Sequence, residues 1–195
     1  MMDKSEQPRF RIVEGTSPAL EFECPANGNV TAAKGAFLAK APAISVTPSQ
    51  AFEGFDTYHN KSDEAEILYL SPSSTGSLLA FDMQLHQKGL ILSQASLFAT
   101  TDDAGISLLL DLNLEGIDGP YRLYQAQNDG VIVAFMSGDL FPLTLEADDC
   151  LQVDARALAA MEVSIAFELE QLDNGQYVAS LTGPGRVWLQ SMPTQ

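Results

Sequence analysis

The sequence predicts an all-β protein of three tandem sandwich-like units with little or no helix. Three observations carry this reading. The apolar runs are short, and several alternate with period two. Gly, Pro, Asn and Asp clusters interrupt the chain at intervals of roughly 8–12 residues, the spacing of turns in sandwiches and barrels. One ten-residue block occurs three times, each copy starting sixty positions after the one before.

Taken in order, ALEFEC (19–24), EILYL (66–70), SLLAFDMQL (77–85), GISLLLDLNL (105–114), GVIVAFM (130–136), FPLTLE (141–146), EVSIAFELEQL (162–172) and QYVASL (176–181) read as strands. In EVSIAFELEQL, Val163, Ile165, Phe167 and Leu169 stand two apart, which gives one apolar and one wet face. The sequences PANGN, HQKG, EGIDGP, QNDG, EADD, LDNG and GPG supply the turns. Asp-Asn-Gly between two alternating runs predicts a hairpin, because Asn and Gly tolerate the positive φ of a tight turn.

The recurring block is VTAAKGAFLA (30–39), LILSQASLFA (90–99) and CLQVDARALA (150–159). Its sixth position is small (Gly35, Ala95, Ala155), its ninth large and apolar (Leu38, Phe98, Leu158), and its tenth alanine (Ala39, Ala99, Ala159). GPYRLYQAQ (119–127) and GPGRVWLQS (183–191) close the second and third units, with EILYLSP in the equivalent place in the first. The expected units are 8–76, 77–130 and 131–195, packed as a single body. DARALAAME (154–162) has good local helix propensity behind an Asp N-cap. Its equivalents GAFLA and SLFA have no helical period, so strand–turn–strand is expected here too.

Composition narrows the function. Ten Lys and Arg stand against 26 Asp and Glu, a formal charge of −16. A body this acidic repels phosphate backbones, and no basic patch is present, so nucleic acid is not an expected partner. The N-terminal MMDKSEQPRF has no apolar leader core, and no apolar run approaches the ~20 residues a membrane helix needs, so no integral membrane segment is expected. A soluble, cytoplasmic protein follows. Cys24 and Cys150 lack the spacing of a metal or redox pair and are expected as reduced, mostly buried thiols.

LTGPGRVWLQS, VTAAKGAFLAKAP and the stretch from Gly130 to Ile165 together resemble the altered-inheritance-of-mitochondria family, in its uncharacterised bacterial branch. The resemblance covers nearly the whole chain. It implies three repeats, each like the small β domain of the tryptophan RNA-binding attenuation protein, about a pseudo-threefold axis. It also implies further assembly into homotrimers. Mitochondrial members are associated with inner-membrane organisation, and bacterial members have no established activity. The loops around 47–65 and 100–105 are short for the family.

No catalytic residue, cofactor or metal is expected. His59 in DTYHNKSDE and His86 in LHQKG read as ordinary exposed residues, and no nucleophile elbow accompanies them. The Gly-Pro segments lack the Lys-Ser/Thr ending of a phosphate loop, so they read as turns that open strands. Arg122 and Arg186 are expected to pair with carboxylates at repeat junctions. The acidic clusters at Asp102-Asp103 and around Asp148-Asp149, with Glu146 and Asp154, fit solvated turns rather than a calcium loop. Phe22, Phe37, Phe81, Phe98, Phe135, Phe141, Phe167 and Trp188 are expected in the core. Phe52, Phe55 and Tyr58 lie in a loop-like stretch and form a candidate interface loop.

The expected function is a non-enzymatic, self-associating β scaffold, most simply a homotrimer, that binds a protein partner. The alternative is a small-ligand binder with a pocket between repeats, lined by Tyr121, Arg122, Arg186 and Trp188.

Overall fold

In the computed structural model, which describes residues 10–192, the alternating runs become antiparallel strands. The outer limits 8 and 195 of the expected units lie outside these residues. β1 (Phe10–Val13) precedes a first set of six strands: β2 (Ala19–Cys24), β3 (Asn29–Ala33), β4 (Phe37–Lys40), β5 (Ile44–Pro48), β6 (Phe55–Asn60) and β7 (Glu66–Leu70). The second set is β8 (Gly76–Asp82), β9 (Leu90–Ser93), β10 (Leu97–Thr101), β11 (Ile106–Leu112), β12 (Tyr121–Ala126) and β13 (Val131–Ser137). The third is β14 (Leu140–Leu145), β15 (Cys150–Asp154), β16 (Leu158–Glu162), β17 (Ala166–Gln171), β18 (Tyr177–Thr182) and β19 (Gly185–Gln190). The only helical pieces among the described residues are 3-10 turns at Asp102–Ala104 and Ala155–Ala157.

Four sheets result, in the orders β1-β2-β7-β4, β5-β6-β3-β10-β13-β8, β11-β12-β9-β16-β19-β14 and β15-β18-β17. The hydrogen-bonding pattern recurs. In each set the first, sixth and third strands run side by side (β2-β7-β4, β8-β13-β10, β14-β19-β16), and so do the fourth, fifth and second. The two six-stranded sheets form where the second strand of one set pairs with the third strand of the next, β3 with β10 and β9 with β16. β4, a third strand, and β15, a second strand, are left at the ends of their sheets with no such partner among the described residues.

Burial follows pattern. In β2, Leu20, Phe22 and Cys24 are buried while Glu21 and Glu23 point away, and Glu21 pairs across the strand with Arg11 at 2.7 Å. β13, VIVAFMS, is buried at every residue because sheets cover both its faces, which explains its unbroken apolar run. Three cores lie between successive sheets. Leu20, Phe22, Leu68, Leu70 and Tyr58 centre the first; Phe81, Leu90, Leu92, Ile132, Met136 and Trp188 the second; Leu123, Leu158, Leu181 and Val187 the third. Each such side chain contributes roughly 1.5–3 kcal/mol through removal from water.

The Asp-Asn-Gly hairpin joins β17 to β18 with Gly175 at φ 83°, and Asn174 Oδ1 accepts the Gln176 N–H. Val163, Ile165, Phe167 and Leu169 all pack on the third core, although residues 163–165 form the turn before β17. DARALAAME is strand, 3-10 turn and strand, with the Asp154 carboxylate accepting the Arg156 N–H.

Three sequence expectations are corrected. The blocks are not evenly spaced. After matching bulges, Ala39 pairs with Tyr69, Ala99 with Val133 and Ala160 with Trp188, so the alanine of the third set is Ala160, one residue beyond Ala159. The Gly-Pro segments are not equivalent. GPYRLYQAQ forms β12, between β11 and β9, whereas GPGRVWLQS forms β19, between β14 and β16. Like sequences here mark only the entry to a strand. Finally, Phe37 and Phe141 are not core residues: each is about half exposed, on the terminal strands β4 and β14.

Candidate functional site

Tyr121 and Arg122 meet in a cleft where β9 and β12 approach the 155–157 turn. Ser93, Gln94, Tyr121, Arg122, Asp118 and Arg156 line it, around about 80 Å³ of space. That is small beside the roughly 300–1,000 Å³ typical of ligand pockets. β12 places Tyr121 and Arg122 on opposite faces of its sheet. Tyr121 turns inward, where its hydroxyl donates to the Ala155 carbonyl at 3.2 Å. Burial pushes this phenol well above its ordinary range. Tyr121 therefore acts as a tie between β12 and the 3-10 turn of the next set.

Arg122 points the other way. Its Nε donates to Asp111 Oδ2 at 3.1 Å on β11, and its Nη1 to Glu53 Oε2 at 2.9 Å in the turn before β6. Its hydrogen bonds to Glu53 and Asp111 hold the guanidinium above its usual range. Arg122 thus joins two sets through two carboxylates, as an ion pair at a junction should. With Nε and Nη1 both donating to carboxylates, its charge is already paired, which disfavours an anionic ligand there.

The other candidates lie elsewhere. Trp188, on β19, is buried in the second core, edge-on to Phe81 at a centroid distance of 5.0 Å. Arg186 is exposed, and its backbone N–H, rather than its guanidinium, donates to Glu162 Oε2 at 3.0 Å. Tyr121, Arg122, Arg186 and Trp188 therefore do not converge on one pocket. Phe52, Phe55 and Tyr58 are not loose. Phe55 and Tyr58 belong to β6 and are buried in the second and first cores, and Phe52 packs edge-on against Phe55 and Tyr124. Tyr58 Oη is buried with no hydrogen-bond partner.

Both histidines are half-buried rather than exposed. His59 Nδ1 lies 2.8 Å from Asn29 Oδ1. His86 packs against Phe81 and Trp188, with Nδ1 3.8 Å from Glu162 Oε1. The thiols also differ from expectation in one half: Cys24 is buried, and burial pushes it up to about 11, but Cys150 is exposed at the start of β15. The acidic turns are used locally. Asp102 accepts from Asn29 at 2.6 Å, Asp149 from the Glu146 N–H, and Asp154 from Arg156 and Gln176. Among the described residues no group of three or more His, Cys, Asp or Glu side chains is placed to hold a metal ion.

Sequence reasoning passed over two buried amides. Asn60 donates to the carbonyls of Cys24, Pro25 and Glu64 and accepts the Ser62 N–H. Gln190 accepts the Ser137 N–H and donates to the Arg156 carbonyl. An isolated polar residue at a strand's end is the one signal available, and it is shared by ordinary turn residues.

The fold and these ties define an all-β protein of stacked antiparallel sheets, with its polar side chains engaged mainly in joining strands and turns. The chain belongs to the mitochondrial biogenesis AIM24 family, whose model matches residues 10–192. It is similar in fold to a Streptococcus pyogenes protein of known crystal structure, with a TM-score of 0.81 at 17% identity, over 96% of this chain and 94% of that one. Comparison with curated proteins gave no match.

Proposed function

We propose that this protein is a non-enzymatic β scaffold that associates with copies of itself, in a trimer, and presents the assembly to a protein partner. The observation that carries the reading is the placing of its exposed apolar side chains. Phe37 and Leu38 on β4, Leu108 and Leu109 on β11 and Phe141 on β14 are each about half exposed. All three strands end sheets. A bare edge offers unpaired N–H and C=O groups, and apolar side chains on it favour pairing with another chain.

The domain reading belongs to the same proposal. The three six-stranded sets are copies of one unit, in the pseudo-threefold relation that the resemblance implies. The proposed boundary between the second and third copies lies after β13 rather than after residue 130, a reading supported by the pairing of β13 with β8 and β10. The formal charge of −16 supports a protein partner over nucleic acid. Among the described residues no helix is long and apolar enough to cross a membrane, which is compatible with a cytoplasmic protein.

Size-exclusion chromatography with light scattering tests the reading. Three times the single-chain mass is expected at micromolar concentration, and the mass of one chain at every concentration would overturn it.

A further inference from the structure

We propose that β4 of one copy pairs antiparallel with β15 of a second copy, in the register Ala39 opposite Val153, Lys40 opposite Gln152 and Ala41 opposite Leu151. This rests on the self-association reading and names the surface that performs it.

The chain contains the template for this contact twice. At the first internal junction Ala99 faces Ala32, Thr100 faces Thr31 and Thr101 faces Val30. At the second, Ala160 faces Leu92, Met161 faces Ile91 and Glu162 faces Leu90. In each, a third strand pairs with the second strand of the preceding set. β4 is the remaining third strand, and β15 is the remaining second strand. Both end a sheet, one at each end of the stack. Ala39, Ala99 and Ala160 follow the same bulge in their strands, which fixes the third strand's phase. Val153, like Ala32 and Leu92, points into its own set's core, which fixes the second strand's phase.

Burial marks the difference between made and unmade contacts. β10 is buried at all five residues and β16 at four of five, whereas the first three residues of β4 are exposed. The contrast is sharpest at one position: Phe98 is 3% exposed and Ala159 0%, but Leu38 is 57% exposed. β3 and β9 are likewise mostly buried, while β15 is mostly open. The occupant is a second copy because both internal junctions join a third strand to a second strand, and β15 is the second strand left without such a partner among the described residues. Joining them would merge the four-stranded and three-stranded end sheets across copies, as the first and second sets are merged within the chain. A heterologous contact of this kind closes into a ring or propagates.

Disulfide trapping tests the register. Directly opposed residues of an antiparallel pair have Cα atoms about 5.5 Å apart, within reach of a disulfide. Lys40→Cys and Gln152→Cys are made in separate chains carrying Cys150→Ser, which removes the exposed native thiol. Mixing the two under mild oxidation is expected to give a covalent two-chain product, whereas replacing Gln152→Cys by Gln87→Cys gives none. A chain carrying both cysteines is expected to form covalent multimers. If it closes within one chain, β4 and β15 meet internally and the proposal is overturned. If the protein scatters as an oligomer yet no cross-link forms, the register is wrong although the scaffold reading stands. A single-chain mass throughout defeats both. Leu38→Glu, at a side chain exposed in the isolated chain, is expected to weaken association at least tenfold while leaving the circular dichroism unchanged. Association unaltered by it would count against the proposal independently of any disulfide.

Discussion

His86 sits against Phe81 and Trp188, and burial holds its imidazole below the ordinary range despite the nearby Glu162 and Asp82 carboxylates; Arg186 pushes in the same direction as burial. The folded state therefore prefers the neutral ring. The unfolded chain takes up a proton near pH 6.5, so stability is full above that pH and falls as the pH drops below it. His86→Gln should shrink the loss of melting temperature between pH 7.5 and 5.5, followed by the fluorescence of the single tryptophan. An unchanged pH profile would remove this role. Asp154 acts lower: hydrogen bonds from Arg156 hold its carboxyl down, and its contribution disappears only as the pH falls below about 4. Asn60 carries more weight. Its buried amide serves three carbonyls, so Asn60→Ala leaves several polar groups unmatched and should cost about 2–3 kcal/mol in urea unfolding. A loss below about 0.5 kcal/mol would show that water replaces the amide.

At the scale of elements, legibility depended on whether a strand is wet on one face. β2, β7 and β17 were readable because one face meets solvent and the residues alternate. β6 was not. Tyr58 packs into the first core and Phe55, three residues earlier, into the second, on the opposite face of the same sheet. Apolar residues an odd number apart read as a loop when each face is buried at only one end of the strand. The same limit hid the candidate site. Arg122 could be recognised as a scarce cation, but its partners Asp111 and Glu53 come from a neighbouring strand and a turn 69 residues away. Helix propensity misled less than it could have, because the repeat outweighed it in DARALAAME. The tight turn between β12 and β13 supplies a further test. Gly130 has φ 115°, and a Cβ there would come within 2.6 Å of Thr101 Oγ1 and 2.7 Å of the Ala104 nitrogen. Thr101 Oγ1 also accepts the Val131 N–H. Gly130→Ala should therefore lower the urea midpoint clearly, whereas Gly116→Ala, with open space at its Cβ, strains only the backbone and should lower it less. Equal effects would contradict the crowding argument.

Across the whole molecule, two sheets are completed inside the chain and two are left as ends. The recurrence of small residues was legible in the sequence, but the unjoined sheet ends were not, since an edge is a property of pairing rather than of sequence. Charge sets the conditions for joining them. Copies carrying −16 each repel one another, so association through apolar edges should strengthen between 20 and 300 mM salt as that repulsion is screened. Association held by surface ion pairs would weaken instead.

The most direct measurement is the solution mass by light scattering, taken across protein concentrations at 150 mM salt. Self-association through the sheet ends predicts a multiple of the chain mass, three-fold at the plateau, that Leu38→Glu reduces toward one chain. A wild-type mass of one chain throughout would contradict it.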